Sequence, residues 1–537
     1  SDFYKFTNKT VSSFFKSFPE WSVSDDHLNY NIAPEDLFEA KISHILDQIS
    51  KRGPDLSNFI HFSKSQKSVK GIAKDIFISS FNDSLSKEIQ EDSGYELFMM
   101  SSVLSLRRNE NNEIQSQPIF DLNNTKEESS TLFLQFNGEI FFLQNKEINN
   151  FKKFINDFSL KVVRQRLLKI IELISNFSLY SSDSDQLYSI LSNISKAYFK
   201  FFKNPELDKE ITRKHLVKCI NFVKKCFDGA FSFIYFDSLN DLIFFGKDYF
   251  GKRSLSMFQT KNGIGFSSVP FPYTENKNMI EPDLSSFEIK DKQMIQKYLT
   301  YYLKMKSKKI FELPRNSSFI IDLKEKSYNK LMSETDDTET IENIKSDDLE
   351  EIMKQFFDLF TLNIVNMIAN IPPINNHQNH SNIAILFSGG VDCSLLAYFI
   401  LKNLEKTKDT LDLINICFLD GKSSDRKNSI ASYKKLKILF PNRKLNLVCI
   451  NKDLKNVKKY EKEILLLMNP LDSLLDFNIS LIFKITTQGK GFLYDEKEQE
   501  SDFIKIDYES PAKVYFSGLG ADEIFGGYSR HRVALIR

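Results

Sequence analysis

The run IAILFSGGVDCSLLAYFI puts an apolar strand, a glycine pair and a helix in immediate succession, with Ser388, Gly389, Gly390, Asp392, Cys393 and Ser394 in the turn. Amides at the start of such a helix point at a bound anion, and the helix dipole favours negative charge there. The chemistry this serves is polyphosphate binding. The glycines let the backbone approach phosphate oxygens, Ser388 and Ser394 offer hydroxyls, and Asp392 is placed to hold the magnesium ion that travels with a nucleoside polyphosphate. Val391 is expected to pack inward. A glycine turn can also be purely structural, but a carboxylate inside a phosphate loop is costly without a cation, which favours the functional reading.

The run VYFSGLGADEIFGGYSRHR is a second strand entering a glycine-rich turn, with Ser517, Gly518, Asp522 and Glu523 at the strand's C-terminal edge, where α/β sheets bind ligands. The first loop resembles the SGGxDS loop of the N-type ATP pyrophosphatases, with Cys393 in place of the usual Ser. The second resembles the SGxGxDExFGGY segment of asparagine synthetases. That resemblance implies ATP and pyrophosphate binding by Ser388, Gly389, Gly390, Asp392, Cys393, Ser394, Ser517 and Gly518, with Mg2+ carried by ATP at Asp392 and Asp522. SSDRKNSIASYKKL from Ser423 resembles the synthetase segment over the adenosine site, and MNPLDSLLDFNISLIFKI from Met468 the helix of the substrate site or, equally, a plain N-capped helix.

Upstream, RGPD at 52–55, NGEI at 137–140, and DGAFSFIYFD with GKDYFGKRSL after Asp228 follow the order found in class II glutamine amidotransferases. The resemblance thus covers both halves. It implies that Asn137 and Gly138 stabilise an oxyanion, each such donor being worth about 3 kcal/mol. It also implies that Arg107 (or its neighbour Arg108), Asn137, Glu139 and Asp183 bind glutamine, although Asp183 in SSDSDQLY reads equally well as part of a solvated loop. The family's nucleophile is a cysteine at the mature N-terminus, and no cysteine precedes Cys219. Either the opening segment lies outside this sequence, which begins at Ser1, or the chain is a degenerate amidotransferase.

The closing run, with NPLDSLLDFNIS and QGKGFL, resembles the asparagine synthetase domain-containing proteins. What this implies is a ligase like glutamine-hydrolysing asparagine synthetase, serving asparagine biosynthesis: a carboxylate, that of aspartate, is adenylated with release of pyrophosphate, and glutamine or ammonia supplies nitrogen. Leu519 departs from the synthetases, which carry a glutamate there, and a leucine can neither bind a cation nor move a proton. The resemblance places the Lys with which the family neutralises charge during adenylation beyond Arg537, where this sequence stops. Two alternatives stay open: a degenerate homologue that binds ATP as a scaffold or regulator, and an adenylating ligase for another acceptor.

Elements must position these residues, and 537 residues exceed one core. The predicted helix at 34–51, then β-rich runs at VLSLR, TLFLQF, GEIFFL, FSFIYFD, DLIFFGKD and GIGFSSV, give an N-terminal α+β domain over 1–332. Its family form is an Ntn-hydrolase-like sandwich of antiparallel sheets with helices. A helical insertion over about 149–225 is read as peripheral. Residues 333–382 read as an acidic and polar linker region. From 383 to 537, strands alternate with helices, giving a doubly wound parallel sheet of the adenine nucleotide α-hydrolase-like type. DEKEQESDFIKIDYES reads as a surface loop.

Composition narrows the classes further. With 72 basic against 71 acidic residues the formal charge is +1, so no field draws the chain to nucleic acid or an anionic membrane. Five cysteines without CxxC spacing (Cys219, Cys226, Cys393, Cys417 and Cys449) exclude a disulfide framework and favour a reducing cytoplasm. No apolar run is long enough to cross a bilayer. His377 and His380 lack a third partner for a metal and read as solvated.

Overall fold

The computed structural model describes residues 56–63, 68–73, 76–77, 96–103, 117–120, 132–156, 161–178, 182–203, 208–259, 264–268, 309–323, 327–331, 349–369, 371, 381–404, 410–418, 421–453, 458–468, 474–494, 507–528 and 531. The chain divides into two units, Ser1–Ile344 and Lys345–Arg537. The helix expected at 34–51 and the RGPD turn lie outside the described residues.

In the first unit, β1 (Leu56–Ser63), β2 (Ser68–Ala73), β3 (Ile76–Phe77) and β4 (Glu96–Val103) form an antiparallel sheet in the order β3-β2-β1-β4. There follow β5 (Ile119–Phe120), β6 (Leu132–Leu143), helices α1 (Asn145–Asn156), α2 (Lys161–Ser175), α3 (Asp183–Phe202) and α4 (Lys209–Lys225), then β7 (Phe227–Asp237) and β8 (Leu242–Lys247). The unit continues with β9 (Ser256–Gln259), β10 (Ile264–Ser267), β11 (Lys309–Glu312), β12 (Ser318–Asp322) and β13 (Ser327–Leu331). A second antiparallel sheet runs β13-β12-β8-β7-β6-β5, and a small one β10-β9-β11.

TLFLQF and GEIFFL, read as two runs, are one strand, β6. Gly138 lies inside it at φ 143°, and a Cβ there would stand 2.0 Å from the Ala230 carbonyl oxygen on β7. Only glycine admits that approach.

The helical segment is not peripheral. Leu134, Phe136 and Ile140 of β6 and Phe231, Phe233 and Tyr235 of β7 share one core with Phe151 of α1, Leu167 of α2, Ile194 of α3 and Leu216 of α4. The Lys-rich composition suggested a surface, yet the apolar residues recur at helical spacing and cover one whole face of the sheet. Each such side chain contributes roughly 1.5–3 kcal/mol when fully buried. On the opposite face, Gln135 Nε2 donates to Ser101 Oγ of β4 at 2.8 Å.

The second unit comprises α5 (Leu349–Ala369), β14 (Ser381–Leu386), α6 (Val391–Asn403), β15 (Thr410–Cys417), α7 (Ser424–Leu439), β16 (Lys444–Asn451), α8 (Lys458–Met468) and α9 (Leu474–Thr486). It ends with β17 (Lys490–Leu493), β18 (Asp507–Glu509), β19 (Val514–Phe516) and α10 (Ala521–Phe525). The sheet order is β18-β17-β16-β15-β14-β19. β16, β15, β14 and β19 are parallel, while β17 and β18 add an antiparallel edge. Ile383, Ile385, Leu411 and Leu445 face α5, α6 and α7 through Ile364, Ile400 and Leu436, whereas Ala384, Ile414 and Val448 face α8 and α9 through Ile464 and Ile485. Helices on both faces make the sheet doubly wound.

Two expectations change here. The segment 333–382 contains a 21-residue helix, α5, whose Ile364 enters the core and whose Phe360 meets Phe399 of α6, so its middle is a packed element rather than linker. The end of the segment read as a surface loop is β18, anchored because Tyr508 and Ser510 donate hydroxyls to buried Asp412 of β15 at 3.0 and 2.5 Å.

Candidate functional site

Strand order fixes where a site forms in the second unit. From β14 the chain runs through β15 to β16 on one side, and β19 then pairs with β14 on the other. The winding direction reverses between β14 and β19, and the crevice at the C-terminal ends of those strands is where doubly wound sheets bind ligands. Both glycine loops open there. They touch, because a Cβ on Gly518 would lie 3.0 Å from the Asp392 Cβ and 3.4 Å from the Cys393 amide nitrogen.

Gly389 has φ 81°, and a methyl there would stand 2.3 Å from the Asn428 carbonyl carbon and the Ser429 nitrogen, so the loop lies directly on the backbone of α7. Ser432 Oγ donates to the Gly389 carbonyl at 2.9 Å. Gly390 caps α6 without any side-chain hydrogen bond, and its own amide donates to Ser388 Oγ at 3.3 Å. A helix start capped by no side chain suits an anion.

The residues of the first loop divide by exposure. Ser388 and Asp392 are exposed, while Ser394 Oγ is enclosed and makes no hydrogen bond. Cys393 is buried, and its thiol donates to the Gly390 carbonyl at 3.4 Å beneath the loop. Val391, expected inside, is 81% exposed, while Cys393 in the same turn of α6 takes the buried position.

In the second loop, Ser517 Oγ accepts from the Leu519 amide at 3.2 Å, and Gly520 at φ 94° opens the short helix α10. Asp522 is exposed, and its carboxylate lies over Gly527, where a Cβ would stand 1.9 Å from its Oδ1. Leu519 is 61% exposed.

Among the described residues no three His, Cys, Asp or Glu converge as a metal site. Magnesium held chiefly by phosphates needs only one or two carboxylates, so Asp392 and Asp522 fit a phosphate-borne ion better than a resident one. His377 and His380 lie outside the described residues.

Sequence reading missed a polar cluster beneath the loops. Ser423 caps α7 by accepting from the Arg426 amide at 3.1 Å. Arg426 is itself buried: Nε donates to Asn415 Oδ1 at 2.6 Å and Nη2 to the Ile450 carbonyl at 3.0 Å, while Asn415 Nδ2 donates to the Phe387 carbonyl at 2.9 Å. An asparagine inside the apolar run LINICFL was the available signal, since a buried polar side chain must find partners.

In the first unit, Asn137 and Glu139 are half-buried on the face of β6 that carries Gln135, and Gly138 pairs with Phe231 of β7. Asp183 is buried at the start of α3, on the helix-covered face, and its Oδ2 accepts from the Ile140 amide at 2.6 Å. It is therefore no solvated loop residue. The structure brings Asp183 to the backbone of the NGEI segment but keeps its side chain on the opposite face from Asn137 and Glu139. Arg107 and Arg108 lie outside the described residues.

The motif GKDYFGKRSL is organised by one carboxylate. Buried Asp248 accepts from the amides of Phe231, Phe250, Gly251 and Lys252 at 2.9–3.1 Å. Lys224 Nζ is enclosed close by and donates to Asn316 Oδ1 at 3.0 Å, and burial lowers its pKa from 10.5 to about 8.

Fold and site define a class: a chain joining a unit of antiparallel sheets and helices to a doubly wound α/β unit with two glycine loops at its switch point. No protein-family model matches it. It is similar to proteins named asparagine synthetase domain-containing protein. The one from Saccharomyces cerevisiae is 26% identical over 454 residues, covering 81% of this chain and 66% of the yeast protein. Those named asparagine synthetase domain-containing protein 1 in Gallus gallus and Homo sapiens are each 23% identical, covering 61% and 57% of this chain and 66% and 61% of their own lengths. The chain thus spans about two thirds of these relatives' length. Among solved structures, an allosteric regulatory enzyme of purine biosynthesis and a glutamine phosphoribosylpyrophosphate amidotransferase from B. subtilis match at 10% and 11% identity. They cover 78% and 83% of this chain and 78% and 92% of their own, both with a TM-score of 0.28, too low to support an argument. Among the described residues no helix is long and apolar enough to cross a membrane.

Proposed function

We propose that the second unit binds ATP at the crevice between β14 and β19 and activates a carboxylate by adenylation, as in glutamine-hydrolysing asparagine synthesis, with aspartate as acceptor. The observation that carries this reading is the meeting of the two loops, with Gly518 against Asp392, at the reversal point of the sheet. Amides of the first turn of α6, with Gly389 and Gly390, would hold the β- and γ-phosphates. Asp392 and Asp522 would hold magnesium, which lowers the charge on the leaving group when bound. An oxygen of the acceptor carboxylate attacks the α-phosphorus, the α–β bridging bond breaks, and pyrophosphate leaves. Ammonia then displaces AMP from the acyl carbon.

For the first unit we propose an Ntn-type glutaminase fold, supported by antiparallel sheets with helices on one face and by the close packing of Gly138. Asn137 and Gly138 would stabilise the oxyanion, while Glu139 and Arg107 would bind glutamine and Asp183 would hold the NGEI segment in place through the Ile140 amide. Cytoplasmic residence fits five cysteines, Cys219, Cys226, Cys393, Cys417 and Cys449, none of which forms a disulfide.

The test is ATP–pyrophosphate exchange by the full chain in magnesium, with and without aspartate. Aspartate-dependent exchange is expected, and ATP binding without exchange for any amino-acid carboxylate refutes adenylation. That outcome is the second reading, a nucleotide-binding scaffold or regulator, and exposed Leu519 at the mouth favours it, because it supplies no proton-moving group there.

A further inference from the structure

Arg426 is a buried cation that no carboxylate among the described residues pairs with. It is 5% exposed, its two side-chain hydrogen bonds go to neutral carbonyl oxygens, of Asn415 and Ile450, and its guanidinium lies 5.9 Å from the centre of the Phe492 ring. Burying a charge is costly unless something nearby uses it. Two neutral oxygens need only donors, which an uncharged amide could supply.

Its position shows what can use the charge. Asn415 and Ile450 stand near the C-terminal ends of β15 and β16, the edge on which both glycine loops open. Asn415 passes the contact on to the Phe387 carbonyl, and Ser388 follows directly in the chain. The same helix that carries Arg426 meets the loop again through the backbone of Asn428 and Ser429 against Gly389, and through Ser432. The underside of the phosphate loop is therefore fastened to α7 at three points, and one of them is charged.

We infer that Arg426 is a positioning residue for the phosphate loop whose uncompensated charge raises the loop's affinity for a polyphosphate. This rests on the nucleotide reading above and adds a specific prediction to it: the gain belongs to the anionic part of the ligand and not to the nucleoside. A unit charge acting over about 10 Å at an effective dielectric of about 20, partly screened by salt, would change anion affinity by about tenfold.

The experiment is calorimetric titration of the full chain with magnesium ATP, magnesium pyrophosphate and adenosine, at low and high salt. Arg426→Gln keeps donors for Asn415 and Ile450 but removes the charge. It is expected to weaken pyrophosphate and ATP about tenfold at low salt and less at high salt, with adenosine unchanged. Arg426→Lys keeps the charge and is expected to hold pyrophosphate within about threefold of wild type. Equal losses for adenosine and ATP in Arg426→Gln, or undiminished pyrophosphate binding, overturn the inference. If Arg426→Gln does not fold, a tenfold loss of pyrophosphate in folded Arg426→Lys overturns it equally. Wild-type chain that binds neither ATP nor pyrophosphate overturns the nucleotide reading itself, and this inference with it.

Discussion

Replacing Lys224 with methionine should make the first unit more stable near neutral pH, and the size of the gain should depend on pH in a defined way. Lys224 lies in the last turn of α4, is 9% exposed, and donates to Asn316 Oδ1 at 3.0 Å. Burial is the main cause of its lowered pKa; the charge of Asp248 works against that and Lys225 adds to it. The unfolded chain holds the proton up to about 10.5 and the folded chain only to about 8. Between those values the unfolded state binds more protons, so stability rises with pH. Below about pH 8 the native state carries the full penalty, about 3 kcal/mol, and above 10.5 it carries none. Methionine removes that penalty and forfeits the bond to Asn316, worth about 1 kcal/mol. The net expectation is a gain of about 1–2 kcal/mol at pH 7 that shrinks through pH 8 to 10.5 and ends as a small loss. Urea unfolding of both proteins across pH 7 to 10.5 measures it. A difference that stays constant over that range would refute the reasoning, because it would mean the amine is equally protonated in the folded and unfolded chains.

Gly389→Ala should cost at least about 2 kcal/mol and abolish nucleotide binding, since the methyl would meet the α7 backbone at 2.3 Å on a positive-φ residue; an unchanged melting temperature would show that the loop does not rest on α7. Asp183→Asn should cost about 1.5–3 kcal/mol in urea unfolding, because a buried carboxylate is the acceptor for the Ile140 amide. A variant as stable as wild type would mean the charge does nothing for the fold at that position.

What the sequence revealed and what it concealed follow from locality. The strand, turn and helix around the first glycine loop could be read because they are adjacent in the chain, and Gly389 needs its positive φ for a reason already visible in the motif. The convergence of residues 388–394 with 517–520 could be expected only through a resemblance, since pairing of β14 with β19 joins segments more than a hundred residues apart. Helices α1 to α4 were read as peripheral because charged and polar residues are interspersed among their apolar ones, while burial is decided by spacing: Phe151, Leu167, Ile194 and Leu216 are each fully buried. Val391 was misjudged for the opposite reason. An apolar residue suggested a core position, but in the first turn of α6 it is Cys393 that enters the core, and Val391 lies on the turn's outer side. The cluster of Arg426, Asn415 and Phe387 left only the trace of an asparagine in an apolar strand, because its partners belong to different elements.

Leu519 separates two functions that the loops would otherwise serve together. On the proposed reading, a glutamate there would add a third carboxylate to Asp392 and Asp522 at the mouth of a polyanion site, tolerable only when magnesium or a reacting proton offsets it. A leucine removes that repulsion and leaves the amides of α6 and the charge of Arg426 to act on phosphate undiminished. Binding is then helped by the substitution that removes a proton carrier from the reaction. The affinity of this crevice for ATP and its rate of pyrophosphate exchange should therefore respond oppositely to Leu519→Glu: weaker binding without magnesium, and faster exchange with magnesium and aspartate if adenylation is the chain's chemistry. Weaker binding with no gain in exchange would assign the crevice to nucleotide binding alone.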